Sequence, residues 1–160
     1  MEHDKRAVAL ELFQEAFSMQ QEGELDVAVG LYKRSIDLCP TAEAYTSLGG
    51  TYRFQGKLDD AIAACKAASE IDPGFGNPYN DIGTCLIEQG YFDEAVPWLE
   101  SAIASERYDS YHHPWYNLGR SYVGLELYNK ARLCFNRALD LEPNYDLARD
   151  GLLKLRMLLQ

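Results

Sequence analysis

Apolar residues recur along this chain at helical spacing, in blocks that copy one another. With Gly49 as the anchor, Gly83 falls in the same place 34 residues further on and Gly119 another 36 beyond that. A second anchor, Ala61, recurs as Ala28, Ala95 and Ala131, at spacings of 33, 34 and 36. Larger Leu and aromatic residues stand three or four positions from these small ones, the spacing of one helix face. A fixed period of this length predicts helix pairs that bury their apolar faces against neighbouring copies. The predicted repeats run over about 9–41, 42–75, 76–109 and 112–145, followed by a terminal helix over about 145–159.

Punctuation between the helices repeats as well. The first helix is predicted from about Lys5 to Glu22, with residues 1–5 frayed. Gly23 should stop it, as Gly56 and Gly90 stop its equivalents. Asp26, Asp59, Asp93 and Asn129 hold identical register at the start of the second helices, where each is expected to cap free backbone N–H groups. Pro78 and Pro114 fit helix starts, whereas Pro97 falls about a turn inside a helix and should remove a bond or bend it. The junction from Glu106 to His113 is two residues longer than the period and should bulge. Small residues at Gly49, Ala61, Ala68 and their counterparts mark close backbone approach, so a large residue at Gly83 or Ala95 should overpack a pair. In the terminal helix, Leu152, Leu155 and Leu159 form a covering stripe. Leu153, Met157 and Leu158 add more apolar surface than a cap requires.

The anchor residues resemble the tetratricopeptide repeat, a helix-turn-helix unit. The second repeat carries Tyr45, Leu48, Gly49, Tyr52, Ala61, Cys65, Ala68 and Pro73. The third carries Tyr79, Ile82, Gly83, Leu86, Ala95, Leu99 and Ala102, with Arg107 in place of the proline. The fourth is nearest the pattern, with Trp115, Leu118, Gly119, Tyr122, Ala131, Phe135, Ala138 and Pro143. The first is weakest: Leu12, Glu15, Ala16, Met19, Ala28, Tyr32, Ser35 and Pro40. The resemblance covers roughly residues 9–145. It implies an all-α, right-handed solenoid of four helix pairs plus a capping helix, forming one domain over 1–160 that binds other proteins along its inner face.

Composition narrows the function. Fifteen Lys and Arg face 25 Asp and Glu, a formal charge of −10 that repels a nucleic-acid backbone. No apolar run reaches membrane-helix length and no signal-peptide pattern opens the chain, so a cytoplasmic location without membrane insertion is expected. Cys39, Cys65, Cys85 and Cys134 lack C-x-x-C spacing and read as reduced thiols. No catalytic triad, phosphate loop or recurrent ligand spacing points to an enzyme, a metal or a cofactor. The His112-His113 pair supports only a remote hydrolase reading.

Binding residues are expected on the inner stripe of each first helix. These are Leu10, Phe13, Phe17 and Gln20, then Glu43, Thr46, Gly50 and Arg53, then Asn77, Asn80, Thr84 and Ile87, and finally His113, Tyr116, Arg120 and Val123. Asparagine amides can satisfy the N–H and C=O groups of an extended peptide, and Arg120 can hold a carboxylate beside the flat wall of Tyr116. Asn117 either joins this ligand set or cross-links helices. Arg120 either takes a ligand or pairs with an acidic neighbour such as Glu88. Some members of the resembled family clamp a chaperone's C-terminal carboxylate with Lys and Asn on the first helix of the first repeat. Phe13 and Phe17 stand there instead, which argues against that clamp and for an apolar contact. The expected function is therefore a non-enzymatic adaptor or scaffold that captures a partner's peptide or helix. The alternative is a self-assembling scaffold, a homo-oligomer built through the C-terminal helix and the first repeat.

Overall fold

A computed structural model describes all 160 residues. Nine helices form and no β-strand, an all-α helical repeat solenoid. They are α1 (Glu2–Gln21), α2 (Leu25–Leu38), α3 (Ala42–Phe54), α4 (Leu58–Ile71), α5 (Asn77–Glu88), α6 (Phe92–Ala104), α7 (His112–Gly124), α8 (Tyr128–Leu141) and α9 (Asp146–Leu158). They gather into two compact units, Met1–Pro73 and Gly74–Gln160. Residues 2–5, expected to fray, are the first turn of α1.

Each pair is joined by the same tight turn. Gly23, Gly56 and Gly90 adopt positive φ of +84°, +79° and +84°, where a side chain would be strained. The residue after each glycine donates its N–H back to the helix it leaves, as Glu24 to Met19 O at 2.9 Å and Tyr91 to Leu86 O at 2.8 Å. This double-bonded ending satisfies carbonyls that would otherwise be stranded. The fourth copy has the same bonds, with Leu127 N–H to Tyr122 O at 2.8 Å, but Glu126 occupies the left-handed position at φ +60°.

The expected caps differ. Asp26, Asp59, Asp93 and Asn129 are the second residues of their helices, and the capping positions are Glu24, Lys57, Tyr91 and Leu127, with no side-chain cap bond. The tight turn makes the residue after the glycine serve both helices, which puts Asn129 and the three acidic residues two positions past the cap. There the acidic charges still favour the helix N-terminus, and Asp26 Oδ1 accepts a 2.6 Å bond from Gln55 Nε2. A side-chain cap occurs at Thr41, which accepts from Ala44 N–H at 3.1 Å.

In the first unit, Leu12, Ala16, Leu31, Tyr32, Leu48 and Ala64 share one buried core. Gly49 allows the α3–α4 approach: a Cβ there would lie 3.1 Å from the Ala61 carbonyl oxygen and 2.6 Å from Cys65 Sγ. Glu15, placed where Leu48, Ile82 and Leu118 are buried in the later repeats, is exposed on α1. In the second unit, Ala131, Phe135, Ala138, Ala148 and Leu155 are buried together, so α9 covers α8. Leu152 is partly buried, as a covering residue should be, but Leu159 is 54% exposed because the helix has already ended at Leu158. Pro97 is accommodated within α6. The long junction does not bulge freely. Arg107 exchanges two 2.9 Å backbone bonds with Gly74 and Gly76, and its guanidinium lies 4.2 Å over the Phe75 ring.

Candidate functional site

The second unit brings together four of the inner-stripe residues and Asn117. Asn80 and Thr84 lie one turn apart on α5, and Tyr116, Asn117 and Arg120 lie on adjoining turns of α7. The Asn117 amide donates to Asn80 Oδ1 at 3.0 Å and to Thr84 Oγ1 at 3.2 Å. Its Oδ1 accepts from Arg120 Nη1 at 3.1 Å, and Thr84 Oγ1 donates to the Asn80 carbonyl at 2.9 Å. Asn80, Thr84 and Asn117 are buried. This polar set cross-links α5 to α7, and it fixes the direction of Arg120.

Arg120 is only partly buried, and the guanidinium nitrogens not bonded to Asn117 remain as donors. It sits 5.9 Å from the Tyr116 ring centroid at the edge of a cleft of about 430 Å³. Ile87, Tyr116, Val123, Phe135, Leu155 and Leu158 supply apolar walls, and Arg120, Lys154 and Asp150 supply charge. Two cations against one anion make this cleft locally positive on a chain of net charge −10. The cleft exists because Gly151 lets α9 lie close to Phe135, to which a Cβ at that position would be 2.9 Å away. Lys154 and Asp150 were not expected here. Their spacing with Leu147 and Leu158 on one helix face was the available signal.

Tyr145 closes the neighbouring wall. His112 and His113 place their rings 4.1 Å apart, and both meet Tyr145 edge-on at 4.9 and 5.5 Å. His113 Nδ1 is 3.2 Å from the Tyr145 hydroxyl. Burial holds the His113 pKa below its ordinary value, and neighbouring His112 lowers it further, against a smaller opposing pull from Asp109. The Tyr145 hydroxyl is pushed up by burial and by Tyr116, with Arg120 opposing. The histidine pair is thus packed into an aromatic cluster, and no group of three or more His, Cys, Asp or Glu is placed to hold a metal ion.

The remaining predicted residues lie elsewhere. Phe13 is half-buried and packs edge-on against Tyr32, with ring centroids 5.6 Å apart, while Phe17 is 50% exposed on the next turn. Gln20 Oε1 accepts the Tyr32 hydroxyl at 2.7 Å, so it serves the first unit internally. Phe13 lines a second cleft of about 610 Å³, with Leu10, Ala9 and Cys39 as apolar wall and Arg6 and Glu43 at its rim. Arg53 is partly buried in the last turn of α3. Asn77 begins α5 and faces Phe75, Arg107 and Tyr108 rather than the Asn80 cluster. No helix is long and apolar enough to cross a membrane.

Comparison with known proteins bears on the repeat. Family models described as tetratricopeptide repeat match residues 1–74, 55–114 and 114–145. The chain is 34% identical over 77 residues to small glutamine-rich tetratricopeptide repeat-containing protein 2 of Mycosarcoma maydis, covering 48% of this chain and 22% of that one. TPR repeat-containing protein YpiA of Bacillus subtilis is 25% identical over 138 residues, covering 81% of this chain and 30% of that one. The chain thus spans less than a third of the curated relatives' length. Among solved structures, PilW, a type IV pilus biogenesis factor, superposes with a TM-score of 0.87 at 19% identity, over 94% of this chain and 70% of that one. The first TPR of Spaghetti (RPAP3), bound to the HSP90 peptide SRMEEVD, superposes with a TM-score of 0.70 at 26% identity, over 74% and 93%. The repeated anchors, the nine helices and these matches together make the chain a member of the tetratricopeptide repeat family.

Proposed function

We propose that this protein is a non-enzymatic adaptor that captures a peptide or helix of a partner protein, with the cleft between α7 and α9 as the principal site. One observation carries the reading: Arg120, aimed by a buried asparagine, and Lys154 face an apolar cleft on an otherwise acidic molecule. The ligand that fits is a segment with an apolar side chain beside a carboxylate. The apolar group is buried against Val123 and Phe135, and the carboxylate takes a charge-assisted bond from Arg120. Asn80, Thr84 and Asn117 act through Arg120 by fixing its direction, and Tyr116 flanks it. The related domain bound to the HSP90 peptide SRMEEVD supports capture of a peptide by this fold. Phe13, Phe17 and Leu10 offer a second, apolar contact on the first unit, with Arg53 and Asn77 outside both clefts. Neither a metal nor a cofactor is needed. Four free cysteines, three of them buried, fit a reducing, cytoplasmic setting.

Selection of a displayed random peptide library with free C-termini tests this reading. Binders should pair an apolar residue with Asp, Glu or the terminal carboxylate. The variant Arg120→Glu/Lys154→Glu should lose these and select basic peptides. An unchanged set of binders would place the site elsewhere.

A further inference from the structure

The outer faces of the first and last helices carry matching patterns of opposite charge. On α1, Asp4, Val8, Glu11 and Glu15 follow one another at steps of four, three and four residues, which puts all of them on one face. Arg149, Leu153 and Arg156 follow the same first two steps on α9. All seven side chains are exposed. In parallel register Asp4 meets Arg149, whose guanidinium also donates to the Pro143 carbonyl and lies 3.6 Å from Asp146, while Val8 meets Leu153 and Glu11 meets Arg156. Beside the second stripe Met157 is 69% exposed, so the apolar contact extends past the single Val8–Leu153 pair.

The distribution of charge along the chain points the same way. Residues 112–160 hold seven Lys and Arg against five Asp and Glu, whereas residues 1–111 hold eight against twenty. One copy's C-terminal region therefore attracts the N-terminal region of another, and like ends repel less favourably placed pairings. Neither stripe contributes to the clefts described above.

We propose that the α9 face of one copy docks on the α1 face of a second copy, a heterologous head-to-tail contact. Because each copy keeps one unused face of each kind, such a contact propagates unless it closes into a ring. Its rim of ion pairs makes it sensitive to salt, since exposed charges are screened over about 10 Å at 0.1 M ionic strength.

Light scattering of the intact chain from about 10 μM to about 1 mM tests this. Mass should rise above the 18.1 kDa monomer at low salt and fall back at high salt. Asp4→Arg/Glu11→Arg and Arg149→Glu/Arg156→Glu should each weaken association at least tenfold, with circular dichroism unchanged because all four positions are exposed. A chain carrying both sets of reversals should regain it. A constant monomer mass would overturn the proposal. So would association that survives Asp4→Arg/Glu11→Arg, which would mean that α9 pairs with another surface, or a doubly reversed chain that stays monomeric.

Discussion

Replacing Asn117 with alanine tests whether the buried polar cluster holds α5 to α7. The substitution removes the donors to Asn80 Oδ1 and Thr84 Oγ1, both on residues only 8% exposed. A stranded buried acceptor costs about 1–3 kcal/mol. Thr84 keeps its own bond to the Asn80 carbonyl, so its share lies at the low end, and Arg120 is exposed enough for water to replace its lost acceptor. The expected loss is then about 2–4 kcal/mol. For a chain of this length that lowers Tm by roughly 5–15 °C if it unfolds as one unit. Repeat arrays need not unfold that way, so amide exchange at α5 and α7 should accompany urea unfolding followed by circular dichroism. Asn117→Leu separates polarity from volume, since it fills the space yet strands the same groups, and it should cost about as much. Asn80→Ala combined with Asn117→Ala should cost less than the two separately, by about 1–2 kcal/mol. A stable Asn117→Leu variant, or strictly additive losses, would show that the amides do not bind the two helices together.

Three further outcomes follow from local geometry. Glu126→Gly relieves a side chain held at φ +60° and should stabilise by about 0.5–1 kcal/mol in thermal unfolding, whereas Gly90→Glu at the equivalent turn should destabilise. His113 has a folded pKa below its ordinary 6.5, so the unfolded chain binds its proton first as pH falls. Stability from this residue is complete above about pH 6.5 and is lost below it, and urea midpoints at pH 7 and 5 should differ less for His113→Gln than for the wild type. Burial pushes the Cys134 thiol up to about 11 and encloses Cys65 and Cys85, so a thiol reagent at pH 8 should modify Cys39 first and the other three only on unfolding.

Much of the fold was legible because packing leaves its mark on residue size. Gly83 and Gly119 are anchors in the sequence for the reason they are anchors in space: a Cβ at either would lie 2.6 Å from Leu99 Cγ or 2.7 Å from Phe135 Cδ1. The helix endings were equally plain at Gly23, Gly56 and Gly90, but Glu126 hid the fourth, since its conformation is imposed by the turn against its own preference. The register of Asp26 and its counterparts was clear, yet its role was misread. Two alternating bonds in the turn, invisible in residue type, decide which position caps the helix. At the candidate cleft, Tyr116 and Arg120 are lining residues that also stand on the inner stripe. An amide that binds a peptide and one that cross-links two helices look alike in sequence, so Asn80 and Asn117 could not be assigned before their 3.0 Å bond was seen. Lys154 and Asp150 were missed because the periodicity of α9 identifies its buried side without saying what its other sides overlook.

Amide chemical-shift mapping with the tightest peptide from the library selection tests the central claim most directly. The account predicts shifts clustered at Tyr116, Arg120, Val123, Gly151 and Lys154, lost in Arg120→Glu. Shifts confined to Phe13, Phe17 and their neighbours on α1, or to the outer helix faces, would contradict it.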